Sequence, residues 1–231
     1  MSGKPKLAVA KRSMADLTTE QLREAILSGA FPPGARLVEA QLAAETGVSP
    51  GTVRAALSEL RRDGLVTCQR YSAWAVAALD EQALWEIYTM RAALESAAAR
   101  LLAARIETAD RTALRKAQAA LERAETSSSA DLRLEADLAF HRLIVERCGN
   151  ALLTESYARI ADKIRWIYAL SEARAPEQIH LTDWHGPLAT AICAGEGERA
   201  ANLVFDMFES SFESDLRLFL RGISPREEMP A

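Results

Sequence analysis

Leu37–Val66 reads LVEAQLAAETGVSPGTVRAALSELRRDGLV, and its spacing predicts two short helices around a tight turn. The first, EAQLAAE, ends at Gly47, and the second runs from Pro50 to about Asp63. In the second, Val53, Ala56, Leu57 and Leu60 recur at the three- and four-residue steps of one buried face. Ser49 is placed to cap it, because a serine hydroxyl accepts from a free amide of the first turn. Pro50 suits the first helical position, where no amide hydrogen is required. Two helices joined by a glycine-containing turn form a helix-turn-helix, whose second helix enters the DNA major groove.

The flanks extend the unit. Thr18 to Ser28 predicts a helix with Leu22, Ile26 and Leu27 on its apolar side, closed by Gly29 and the turn Phe31-Pro32-Pro33-Gly34. After Gly64, Leu65–Leu79 is the only stretch that reads as strand, and a break at Arg70-Tyr71-Ser72 divides it into a hairpin. Helix, helix, recognition helix and hairpin make a winged helix-turn-helix. From Asp80 onward the pattern is helical throughout: a long helix to about Arg105, then Thr108–Glu125, Asp131–Cys148 and Ala151 to about Arg174. A further helix kinked or started by Pro187 ends at Ala194-Gly195, and Glu198–Arg221 closes the set. The predicted fold is mainly α, an N-terminal winged helix-turn-helix followed by an all-α antiparallel bundle of about six helices. The expected boundaries are a basic arm over 1–15, the winged domain over 16–79, the helical domain over 80–223 and a tail over 224–231.

Composition agrees. A chain of 231 residues suits a small module plus a larger one. No apolar run reaches the roughly 18–20 residues that span a bilayer, and MSGKPKLAVAKRS is no signal peptide. Cys68, Cys148 and Cys193 are scattered and form no CxxC pair, which favours free thiols in a reducing, cytoplasmic setting. The formal charge of −4 hides an asymmetry. Residues 1–79 hold ten Lys/Arg and seven Asp/Glu, a net of +3; residues 80–231 hold eighteen and twenty-five, a net of −7. A basic head on an acidic body fits a DNA partner. On the recognition helix, Ser49, Thr52 and Arg54 are the candidates for base contact, and Arg61, Arg62 and Arg70 for phosphate.

Two segments resemble known domains. LREAILSGAFPPGARLVEAQLA followed by TGVSPGTVRAALSELRRDGLV resembles the DNA-binding domain of the GntR family of bacterial transcriptional regulators. Two positions depart from it: Pro50 stands where that family usually has Arg, and Ser72-Ala73 where its wing usually has Gly. Tyr88-Thr89-Met90-Arg91-Ala92-Ala93-Leu94-Glu95, Asp137-Leu138-Ala139-Phe140-His141-Arg142, Gly149-Asn150 and His185-Gly186-Pro187-Leu188 resemble the FadR-type (FCD) ligand-binding domain of the same regulators. The resemblance implies a homodimer that binds operator DNA and senses a small molecule, expected to be an organic acid.

The chemistry of the helical part centres on Asp137 and His141. Four residues apart, they share a helical face that also carries Leu134, Leu138, Ile144, Val145 and Cys148. A charged group on such a face needs partners. The resemblance supplies them as two further histidines and a metal ion. His185 matches the first; Met207 stands where the second is expected, on the stripe Ala200, Leu203, Met207, Ser211. Asp137, His141 and His185 can still hold a divalent metal (Zn, Ni or Mn) with a water or anion completing the shell, or form a metal-free hydrogen-bonded site. Arg91 and Glu95 are either a surface ion pair or part of the pocket, where Arg91 would grip a carboxylate effector. Trp166, Tyr168 and Trp184 are either core aromatics or ligand platforms, and His180 is expected to face solvent. An enzyme would use the same three ligands as a catalytic metal site, but there is no HExxH segment, phosphate-binding glycine loop or nucleophile motif. A metal-free acyl-CoA sensor is the other alternative.

Overall fold

The computed structural model describes residues 12–69, 73–174 and 182–218. The chain forms two units, residues 1–77 and 78–231.

In the first unit, α1 (Met14–Leu27) starts four residues earlier than its apolar spacing indicates. Met14 and Leu17 of this first turn are exposed and do not join the buried stripe; a capping box between Ser13 and Asp16 holds the turn. After it come β1 (Arg36–Leu37), α2 (Glu39–Thr46) and α3 (Pro50–Arg62). Gly47 closes α2 at φ +70°, a left-handed conformation that glycine adopts without strain. Ser49 caps α3, its Oγ accepting from the Thr52 amide at 3.2 Å. The hairpin is β2 (Val66–Gln69) and β3 (Ala73–Val76). The wing is three-stranded, in the order β1-β3-β2, with Leu37 and Cys68 both opposite Trp74. The strand β1 corrects the reading that 65–79 holds all the strand; two residues are too short to show alternation. Leu22 and Ile26 of α1 pack with Val53, Leu57 and Leu60 of α3 in a core almost without solvent exposure.

The second unit is all-α. Among the described residues it has α4 (Glu81–Ala104), α5 (Thr108–Glu125), α6 (Ala130–Arg147), α7 (Ala151–Ala158), α8 (Ala161–Arg174), α9 (Thr182–Ala194) and α10 (Gly197–Leu216). There are thus seven helices rather than about six, because the segment expected as one helix from Ala151 is two. Arg159 caps α7, and the chain restarts at Ala161, with no Gly or Pro to mark the break. Pro187 lies inside α9 rather than starting it. The last turns expected up to Arg221 fall on residues outside those described. Helix α10 lies along α4, α5 packs on α6 and α9, and α6 packs on α8. Leu102, Leu114, Leu121, Phe140, Ile144, Ile192 and Val204 fill the centre.

One turn tests this packing. Gly149, at φ +78°, ends the α6 loop, and a Cβ there would run into the Arg105 guanidinium. Gly149→Ala should destabilise the protein by about 1–2 kcal/mol, from left-handed strain and the displaced arginine, as read by urea unfolding.

Candidate functional site

The helical unit encloses a cavity of about 280 Å³, walled by α4, α6, α8, α9 and α10. Arg91, Asp137, His141, His185 and Met207 all line it. Asp137 and His141 arrive together because they are one turn apart on α6; α9 brings in His185 and α10 Met207. The inward stripe of α10 is Ala200, Val204, Met207, Phe208 and Asp215, one position off the expected one at Val204. Tyr168 and Trp184 line the cavity too, whereas Trp166 is a core aromatic, 1% exposed. His180 lies outside the described residues.

Three donor atoms converge. His141 Nε2 and His185 Nε2 are 3.0 Å apart, His185 Nε2 is 3.0 Å from Asp137 Oδ1, and His141 Nε2 is 3.7 Å from the same oxygen. Ligand atoms about 2.0–2.2 Å from one metal ion lie about 3–3.5 Å apart, so the triangle fits an ion at its centre. The tautomer fits as well. His141 Nδ1 faces Glu95, so it carries the proton and Nε2 presents its lone pair to the cavity. A carboxylate behind a ligating imidazole is the usual outer partner of a metal site. Met207 offers a soft thioether instead of a fourth nitrogen or oxygen.

Glu95 is the residue whose importance the sequence conceals. It is buried, it accepts from Arg91 Nε at 2.7 Å and from the Tyr157 hydroxyl, and it pairs with His141 Nδ1. The Arg91–Glu95 pair is therefore no surface ion pair: Arg91 is 6% exposed and its guanidinium lies 4.3 Å over the Phe208 ring. The signal was present, since Glu95 falls on the stripe of Ala92, Ala98, Ala99 and Leu102. Burial opposes charge on Glu95, but His141 and Arg91 outweigh it and hold the carboxyl below its ordinary range. Burial likewise opposes charge on Asp137, and His141, His185 and Arg91 hold that carboxyl far down. His141 Nδ1 meets Glu95 off hydrogen-bond geometry, and two further buried polar atoms of this cluster, Arg91 Nη2 and Asp137 Oδ2, lack a hydrogen-bond partner among the described residues. They are 3.8 Å apart, beyond hydrogen-bonding range.

In the winged unit, the Arg54 guanidinium is exposed but held. Its Nε and Nη2 reach Glu39 at 2.9 and 2.7 Å, and Glu39 also accepts from Trp74 Nε1 at 2.8 Å. Burial opposes the Glu39 charge less than Arg54 favours it, so its carboxyl sits below the ordinary range. Ser49 and Thr52 hydroxyls bond each other at 2.9 Å. Arg61 lies over the Trp74 ring at 5.9 Å, and Arg62 pairs with Glu59. Arg70 lies outside the described residues. Within the described residues no helix is long and apolar enough to cross a membrane.

Known proteins agree with this architecture. Residues 15–76 match the family described as bacterial regulatory proteins, gntR family, and residues 86–210 match the FCD domain. The Nta operon transcriptional regulator of Aminobacter aminovorans is 32% identical over 157 residues, covering 66% of this chain and 74% of that one. The HTH-type transcriptional repressor GlaR of Escherichia coli K12 is 29% identical over 191 residues, covering 79% and 87%. The solved structure of E. coli McbR/YncC superposes with a TM-score of 0.71 at 21% identity, covering 90% of this chain and all of that one, a likeness of fold.

Because three donors meet on Glu95, its removal strands a buried guanidinium. Glu95→Ala should cost about 3–5 kcal/mol, measured as a lower urea midpoint; an unchanged midpoint would mean that the cluster holds nothing together.

Proposed function

We propose that this chain, a transcriptional regulator that belongs to the bacterial GntR family and carries an FCD domain, has its operator affinity set by a small carboxylate bound in the helical cavity. The reading includes a cytoplasmic homodimer, a recognition helix that reads bases through Ser49, Thr52 and Arg54, and phosphate contacts from Arg61, Arg62 and Arg70. The proposed domain limits are 16–79 for the DNA-binding part and 80–223 for the sensing and dimerising part. The exposed guanidinium of Arg54, 63% accessible on α3, supports the first assignment.

The observation that carries the effector reading is that Arg91 Nη2 and Asp137 Oδ2, though ion-paired at 3.8 Å, make no hydrogen bond in a cavity wall beside three convergent donors. Leaving such a group unbonded costs about 1–3 kcal/mol; a carboxylate that accepts from Arg91 Nη2 recovers it there, whereas Asp137 Oδ2, an acceptor itself, needs a cation or a donor. Charge supports a metal in the same place. Arg91, Glu95 and Asp137 together leave the buried cluster one negative charge, a poor host for an anion. Asp137, His141 and His185 would hold a divalent ion, which makes the cluster one positive charge and gives a carboxylate a Lewis-acidic seat. The same group read as an enzyme site would have to turn over a substrate. The regulatory names of the relatives favour sensing.

An effector changes DNA affinity only if it binds one state of the protein more tightly than another. Arg54→Ala should cost about 1–3 kcal/mol on an operator selected from a random-sequence pool, and much less on random DNA. Equal losses in fluorescence anisotropy would reduce Arg54 to a phosphate contact. At the sensing end, Met207→His should raise zinc affinity about tenfold or more by adding an imidazole. Calorimetric titration of both proteins decides this, and no gain would remove Met207 from the metal's reach.

A further inference from the structure

Arg54 of the recognition helix is gripped from one side. Its guanidinium donates to Glu39 from Nε to Oε1 at 2.9 Å and from Nη2 to Oε2 at 2.7 Å. Glu39 is the first residue of α2, so the contact joins the two helices of the helix-turn-helix across fifteen positions. The same carboxylate takes a further hydrogen bond, from Trp74 Nε1 at 2.8 Å. Trp74 lies on β3 of the wing, 5% exposed, with the Arg61 guanidinium 5.9 Å over its ring. A buried indole thus fixes the acid, and the acid fixes the arginine.

An acid beside such an arginine either covers it or braces it, and exposure separates the two. The Glu39 side chain is 15% exposed and that of Arg54 63%, so the carboxylate stands behind the guanidinium rather than between it and solvent. A guanidinium carries five N–H donors in a rigid plane. The side edge, Nε–H and the nearer Nη2 hydrogen, is taken by Glu39. The end edge, Nη1 and the outer Nη2 hydrogen, meets no acceptor among the described residues. Its two N–H groups run parallel, which matches the O6 and N7 acceptors of a guanine in the major groove.

As a surface ion pair this contact adds little to stability, because water competes for both charges. Its effect is on rotamers. An unbraced arginine on this face of α3 can swing to a phosphate, a contact that gives affinity without sequence. A braced one is already ordered when DNA arrives, so less freedom is lost on binding. An acid near the DNA face also repels phosphate on every sequence. Its benefit must therefore lie in discrimination.

We propose that Glu39 is a specificity-determining positioning residue: backed by Trp74, it holds the side edge of Arg54 so that the end edge addresses a guanine. The inference rests on the assignment of Arg54 to a base edge above and adds two residues that act through it.

Fluorescence anisotropy of the full-length protein on two duplexes tests this, one an operator selected from a random-sequence pool and the other a random-sequence control. The readout is the ratio of the two affinities. Glu39→Gln removes the charge and half of the bidentate contact, and should lower that ratio about tenfold. Affinity for the control should hold or rise, because an acid has gone. Trp74→Phe keeps an aromatic ring without the donor, and should lower the ratio about threefold; either variant suffices if the other fails to fold. Adding Glu39→Gln to Arg54→Ala should lower the ratio no further, since the brace then has nothing to hold. An unchanged ratio in Glu39→Gln, whichever way both affinities move, makes Glu39 a general electrostatic or structural residue and overturns its positioning role. A further drop on the Arg54→Ala background overturns it too, because Glu39 would then act independently of Arg54. Equal losses on both duplexes for Arg54→Ala alone overturn instead the base-contact assignment beneath it.

Discussion

A carboxylate with no access to water must be given every hydrogen bond it needs, and the helical domain is built around one such group, Glu95. Its oxygens gather a guanidinium, an imidazole and a phenol from α4, α6 and α7. A buried pair of charges is a poor source of net stability, because desolvation consumes most of the attraction. What it provides is position. Arg91 cannot rotate away without stranding Glu95, and His141 cannot flip without breaking its Nδ1 contact. The face that each presents to the cavity is settled before anything binds there. Asp137 and His185 complete the arrangement from α6 and α9.

The two units differ in what holds their functional groups. In the winged unit Ser49 caps α3 and Thr52, Arg54, Arg61 and Arg62 are on its outside, and the core beneath consists of ordinary aliphatic packing. The groups in the helical unit are on the inside, where side chains from five helices must meet. A shift of one turn in α6 or α9 would separate the donors, which now stand 3.0–3.7 Å apart.

Much of this was legible in the chain. The helix-turn-helix announced itself because capping, turn and periodic signals all coincide within thirty residues. Asp137 and His141 were readable because charged and imidazole groups stand out on an apolar stripe, and His185 because it matches a histidine expected from the resemblance. Glu95 was ambiguous for a physical reason: an Arg and a Glu four apart satisfy the rule for a solvated helix face as well as for a buried pair, and only the neighbouring alanines decide. Glu39 and Trp74 gave no local sign, since each is unremarkable on its own element and their meeting at Arg54 depends on how α2, α3 and β3 pack. The division between α7 and α8 was hidden because no Gly or Pro marks it. The strand β1 was hidden because pairing with β3 creates it.

Glu39 holds Arg54 of the recognition helix and Trp74 of the wing with a single carboxylate. The recognition helix is for that reason not a detachable cassette. Transplanting α3 alone onto another winged scaffold would take Arg54 away from the acid that fixes its guanidinium, and would leave the wing tryptophan bonded to a carboxylate without its cation. Anyone redesigning the DNA preference of this head has to treat positions 39, 54 and 74 as one inherited block, whose members can be exchanged only together.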